Sequence, residues 1–277
     1  MPSQRPLLIP KNAIMDPEMC ARFGRPVMAI HSQCGAVAPA GGGVVFNKGL
    51  AGGRGAASTD YTFDRGAIRK TAGSLNTVDF GRAKLWEPAD FVTVWSHHAP
   101  TNFAGVPTSF GNTANTALHG YELGINGSGN SRFFCSDGTS KSIVSTATLT
   151  NNVIITQMGV AAMGVAWGGL YINGNLQTVT GAATPGVPTY ATNMHLCSRP
   201  STSLGAINIY QALIWNKAQP QYLAYLLDRD PDLMWWWPGK TNNKVYFVPA
   251  GATTVLFRRS IEPRIGSRGR IIASGGL

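Results

Sequence analysis

The sequence predicts an all-β fold, an antiparallel sandwich or barrel, and three observations carry that expectation. Charged residues make up only 13% of the 277 positions, too few for long solvated helices, whereas 33 glycines and 17 prolines supply turns. From Val44 onward, short apolar stretches recur between turn signals. Two Asn-Gly pairs, Asn126-Gly127 and Asn173-Gly174, stand between strand-like runs, where both positions tolerate positive φ and a hairpin can close.

The elements follow in order. Residues 1–43 hold several prolines and Gly41-Gly42-Gly43 with no sustained period, and read as an N-terminal arm or draped segment. Phe91-Val92-Thr93-Val94-Trp95-Ser96 is aromatic and β-branched, hence a strand, and His97-His98 before Pro100 read as loop or edge residues. Tyr121–Ile125 and Ser131–Ser136 flank Asn126-Gly127, and Asp137-Gly138 closes the next turn. Val153–Val160 and Gly169–Ile172 are strand-like, and Asn173-Gly174 bends the chain into Asn175–Val179. Ala206–Asn216 alternates and then runs apolar, as a strand near a core does. Pro220 stands where a helix near 220–228 can begin, with Tyr222, Leu223, Leu226 and Leu227 on one face, and Pro231 ends it. The body therefore covers 44–238 and a C-terminal arm 239–277.

The net charge of +10 is concentrated at that arm. After Pro238, Lys240, Lys244, Arg258, Arg259, Arg264, Arg268 and Arg270 face Glu262 alone, and Val255, Leu256, Phe257, Ile261, Ile265, Ile271 and Ile272 are interleaved with them. Cations mixed with apolar residues suit a protein partner better than nucleic acid, for which no zinc-finger spacing or aromatic RNA-binding signature is present. Trp235-Trp236-Trp237 precede the arm, and three consecutive indoles cannot all point inward on a regular element, so at least one is expected to meet another chain. Partner-binding candidates are thus Trp235, Trp236, Trp237, Phe257, Arg258, Arg259, Arg264, Arg268 and Arg270.

Tests for chemistry come out negative. The four glutamates Glu18, Glu87, Glu122 and Glu262 form no paired-carboxylate strand pattern of the kind glycoside hydrolysis uses. Asp228-x-Asp230-x-Asp232 begins like a calcium loop, but Leu233 stands where glycine is needed, so a solvated helix end is expected. No Gly-x-Ser-x-Gly elbow, phosphate loop or dinucleotide cradle is found. Cys20, Cys34, Cys135 and Cys197 are scattered and expected to be reduced and mostly buried, and no metal or cofactor is expected. No apolar run reaches the ~20 residues of a membrane span and the start has no export signal, so a soluble protein that stays in the cell is expected.

Three segments carry a family resemblance: Phe91–Trp95, the hairpin Gly169-Leu170-Tyr171-Ile172-Asn173-Gly174-Asn175-Leu176, and Ile209–Ala218 running through the short helix to Asp228-Arg229-Asp230-Pro231. Their order over about residues 60–238 resembles the concanavalin A-like, laminin-G-like jelly-roll domains of phage-encoded proteins. The resemblance implies a jelly-roll β-sandwich and a non-enzymatic structural protein of a tailed-phage virion. It would decorate the capsid or sit in the tail, and be assembled in the bacterial cytoplasm. Its terminal arms would hold it to major capsid or tail proteins or to further copies of itself. The alternative is a carbohydrate-binding module with Asn102, Asn112, Asn115 and His119 holding a host glycan. The fold itself hosts both kinds of protein, so it cannot choose between them.

Overall fold

The computed structural model describes residues 12–34, 42–64, 66–70, 78–103, 108–111, 119–139, 141–190, 193–197, 206–238 and 240. The chain divides into two units, Met1–Pro238 and Gly239–Leu277. Of the second, only Lys240 is described, so Phe257 and the five arginines proposed as partner contacts lie outside the described residues.

The first unit begins with β1 (Ile14–Met15), helix α1 (Pro17–Phe23) and β2 (Met28–His31). Short strands β3 (Gly43–Phe46), β4 (Arg54–Ala57), β5 (Tyr61–Asp64), β6 (Ala67–Lys70) and β7 (Val78–Asp79) lead to the long β8 (Phe91–Asn102). Then come β9 (Thr108–Gly111), β10 (His119–Ile125), β11 (Asn130–Asp137), β12 (Ser142–Thr148), β13 (Ile155–Ala162) and β14 (Ala166–Ile172). The described elements of this unit finish with β15 (Asn175–Leu176), β16 (Val179–Gly181), β17 (His195–Leu196), β18 (Ala206–Trp215), helix α2 (Gln221–Arg229) and β19 (Trp235–Trp236).

Two antiparallel sheets make a β-sandwich, as expected. One has the order β16-β12-β11-β10-β9-β17-β7-β4-β3, the other β15-β14-β13-β8-β18-β6-β5 with β2 also on β18. Alternation sends Val92, Val94, Ile207, Ile209, Ala212 and Ile214 from the second sheet into the core, against Tyr121, Leu123, Phe133, Cys135 and Leu196 from the first. At Gly159 a side chain would collide with the Phe133 ring, since a Cβ would sit 2.4 Å from it. The missing Cβ is what lets Phe133 cross the core.

The outer face of the second sheet is apolar too. Trp95, Met158 and Leu213 stand side by side in register and are buried. Helix α2 buries Leu223, Ala224, Leu226 and Leu227, close to the expected set, with Tyr222 only half buried. The Asn173-Gly174 turn has φ of 48° and 75°, as a two-residue hairpin needs, and Gly174 lies against α2, where a Cβ would be 3.0 Å from Tyr225 Cα.

Four expectations are corrected. Residues 1–43 are not wholly an arm, because β2 pairs with β18 from Met28↔Ile214 to His31↔Gln211 and buries Met28 and Ile30 completely. Helix α1 likewise buries Met19 and Phe23, and it was readable from Asp16-Pro17, an N-cap followed by proline at the first helical position. Asp16 Oδ1 accepts from the Glu18 and Met19 N–H groups at 3.0 and 3.1 Å. Asp16→Ala is therefore expected to cost about 1–2 kcal/mol, read as a lowered urea midpoint at unchanged slope.

Second, His97 and His98 are fully buried mid-strand. Strand β8 passes through Pro100, which has no N–H to donate, because β13 starts only at Ile155, opposite His98, and asks for no ladder bond there. Third, the β10–β11 hairpin is not a two-residue Asn-Gly turn. Asn126 N–H donates to Asn130 O at 2.9 Å, closing a three-residue loop in which Gly129, at φ 83°, takes the left-handed position. Fourth, Asp232 is no solvated turn residue. It is 2% exposed, and its Oδ1 accepts from Gln211 Nε2 and lies 3.3 Å from His31 Nε2.

Candidate functional site

Of the three consecutive tryptophans, Trp235 cannot reach a partner. It is fully buried, donates Nε1–H to Gln211 Oε1 at 3.0 Å, and meets the His31 ring edge-on at 5.3 Å. Trp236 is half buried and pairs with Ile14 across the β1–β19 ribbon, and Trp237 is half buried. The indoles are thus divided between the interior and the surface, which the sequence reading allowed for without saying which went where.

The four glycan candidates do not come together. Asn102 ends β8 and is half buried, and Asn112 and Asn115 lie outside the described residues. His119 opens β10 opposite Asp137, at the other end of that strand from the Asn126 turn. Seven residues at about 3.3 Å each put the two ends of β10 roughly 20 Å apart.

What does gather around Asn102 comes from elsewhere in the chain. Three segments meet at one end of the sandwich: 100–103, the turn 126–130, and 148–152. Asn152 N–H donates to Pro100 O at 2.7 Å, and Leu149 N–H to Gly129 O at 2.8 Å. Asn130 Nδ2 reaches Thr148 Oγ1 at 3.4 Å. Phe103 lies over Gly129, where a Cβ would be 2.8 Å from the ring. Asn126 Oδ1 accepts from the Ser128 and Asn130 N–H groups at 3.0 and 2.9 Å, which fixes the turn. Gly127, Ser128, Thr148, Thr150, Asn151 and Asn152 are exposed, with Asn102, Phe103, Asn126 and Asn130 half buried between them. Asn152 takes φ 62°, a left-handed conformation that asparagine tolerates better than most residues.

Below this rim the interior is polar and held in place. Gln157 Nε2 donates to Gly124 O at 2.9 Å and to Ser131 Oγ at 2.6 Å, and Ser145 Oγ accepts from Ser131 N–H at 3.1 Å. Ser96 Oγ and His98 Nδ1 are 2.8 Å apart, which leaves Nε2 to carry the imidazole proton when Ser96 donates. Burial pushes His98 down to about 3, helped by neighbouring His97, so its ring is neutral at physiological pH. The nearest ion pair, Arg132–Glu122 at 3.0 Å, lies on the sheet, with Arg132 opposite Gly124 and its guanidinium over the Phe134 ring.

Among the described residues, such an end offers amides, hydroxyls and the Phe103 ring on a rigid base. That inventory can recognise hydroxyl-rich surfaces but lacks a paired acid and base. Among the described residues no group of three or more His, Cys, Asp or Glu is placed to hold a metal ion. Sequence reasoning found Asn102 and missed Phe103, Asn126, Asn130, Asn151 and Asn152. Asn126 was visible only as a turn former.

Fold and loop end together define an antiparallel, jelly-roll-like β-sandwich. Among solved structures it resembles the Trypanosoma rangeli sialidase in complex with 2,3-difluoro-KDN, at TM-score 0.54 and 8% identity, over 76% of this chain and 33% of that one. It also resembles the botulinum neurotoxin serotype D/C binding domain, at TM-score 0.53 and 10% identity, over 74% of this chain and 51% of that one. The serotype G binding domain matches at TM-score 0.50 and 11% identity, over 73% and 50%. The chain thus spans between a third and a half of these structures. No family model and no curated protein matches it.

Proposed function

We propose that the sandwich is a non-catalytic carbohydrate-binding module that holds a glycan on the rim formed by 100–103, 126–130 and 148–152. The carrying observation is the convergence of Phe103 with Asn102, Asn126, Asn130 and Asn152 from three distant segments. Sugars present hydroxyls in both donor and acceptor senses and an apolar ring face. Asparagine amides and a half-exposed phenyl ring match the two. The likeness to binding domains supports this reading at the level of the fold.

A glycan array probed with the full chain is the test. Phe103→Ala and Asn102→Ala are each expected to weaken the retained glycan about tenfold, equivalent to 1.4 kcal/mol, with little change in Tm. An array that stays dark, or glycan binding indifferent to both changes, defeats the assignment.

The second reading, a tailed-phage virion structural protein anchored to capsid or tail subunits, draws its support from the cationic, aliphatic sequence of 239–277. The two are compatible, with one end recognising a glycan while the terminal segment attaches the module to its assembly. Deleting 240–277 would then abolish attachment and leave glycan binding intact.

A further inference from the structure

Resting on the module reading, we infer that the rim selects electrically neutral glycans, and that sugars carrying carboxylate, sulfate or phosphate are rejected there. The primary observation is chemical. No Asp, Glu, Lys or Arg occurs from Phe91 to Tyr121, from Leu123 to Ser131, or from Ser142 to Ser198. These stretches supply every segment of the rim; on the strand that runs beside Asn102, the nearest charge along the chain is Arg199, seven positions before Ala206.

Among the described residues, the neighbouring fixed charges lie outside the rim. Arg132, opposite Gly124, gives its guanidinium to buried Glu122. Arg69 and Lys70 belong to β6, which is separated from β8 by β18. Two strand spacings put that strand about 10 Å from β8, on the side away from β13 and the 148–152 segment. Lys70 is itself buried.

An anionic sugar entering a rim without a cation would give up hydration for amide contacts alone. Recognition of carboxylate or sulfate ordinarily rests on charge-assisted bonds, most often a bidentate arginine. A neutral hexose faces no such deficit, because its hydroxyls exchange water for amide and hydroxyl partners nearly evenly and its apolar face gains contact with Phe103. The same inventory bears on metal use. A rim without carboxylates offers a calcium ion only neutral oxygens, so binding is independent of calcium.

The decisive experiment uses the full chain on paired neutral and acidic oligosaccharides, a lactose-type glycan against its sialylated and sulfated forms. It is run at 50 and 500 mM NaCl, with and without EDTA, alongside Phe103→Ala. Support is retention of the neutral glycan, less than twofold change with salt or EDTA, and about tenfold loss in Phe103→Ala. If the sialylated or sulfated form is preferred and Phe103→Ala abolishes that preference, neutrality is overturned while the module reading survives. Acidic glycans held only at low salt, equally by Phe103→Ala, with no neutral ligand, would point to the basic terminal segment and defeat both. Silence on every glycan defeats the module reading itself.

Discussion

Asp232→Ala is expected to destabilise the first unit by about 2–6 kcal/mol, at about 1–3 kcal/mol for each of two buried donors that lose this acceptor. Asp232 Oδ1 is the shared acceptor of a buried set. Gln211 Nε2 donates to it, and His31 Nε2 lies 3.3 Å away. His31 Nδ1 accepts from Gln33 N–H at 3.2 Å, so the proton sits on Nε2, aimed at the carboxylate. Gln211 in turn holds Trp235 through its Oε1. Deleting the carboxylate leaves donors from two buried side chains without this acceptor and loosens the anchor of an indole that is fully buried. The set lies where the two ends of the first unit meet, because His31 belongs to β2 and, nearby in sequence, Asp16 N–H donates to Met234 O at 2.8 Å. Urea unfolding should show a midpoint drop of this size in Asp232→Ala and a smaller one in Asp232→Asn, which keeps an acceptor oxygen. Equal stability of wild type and Asp232→Ala would show that the set contributes nothing net.

Such a set marks the boundary of what was legible in the sequence. Strands β8, β10, β11, β13 and β18 and helix α2 announce themselves through β-branched and aromatic runs or a 3.6-residue period, which are local signals. The pairing of β2 with β18 joins His31 to Gln211 across 180 positions, and no local pattern encodes it. Two-residue strands such as β7 and β17 have no period at all. The loop end follows the same logic. Asn102 and His119 are neighbours in sequence, yet β9 lies between them and carries the chain back along the sheet, so they open opposite ends of the sandwich. Asn130 and Asn152 are distant in sequence and meet the 100–103 segment only because their strands end at one rim.

Acid is expected to weaken the fold well before its carboxylates titrate, and His98 is the main reason. Its ring is fully buried beside Ser96, and desolvation, with His97 adding to it, holds it down at about 3. In the unfolded chain a histidine takes up its proton near pH 6.5. The folded state therefore binds fewer protons than the unfolded state between those values, and stability fully present above 6.5 is lost progressively as pH falls toward 3. At pH 4 the gap amounts to about 3 kcal/mol, at about 1.4 kcal/mol for each unit below 6.5. His195, lowered by burial against the opposing pull of Asp79, acts with the same sign. Asp228, raised by burial, opposes it, but only near the carboxylate range, where its folded form keeps a proton more readily. Thermal melts from pH 7 to 4 should therefore fall steeply. His98→Asn keeps an acceptor for Ser96 and removes the titrating ring. This variant should begin less stable at pH 7 because of the lost ring volume, yet show a visibly flatter pH profile from 6.5 to 4. A variant profile parallel to the wild type would mean that the acid sensitivity originates at His195 or elsewhere, and that the buried histidine of β8 takes up its proton without cost.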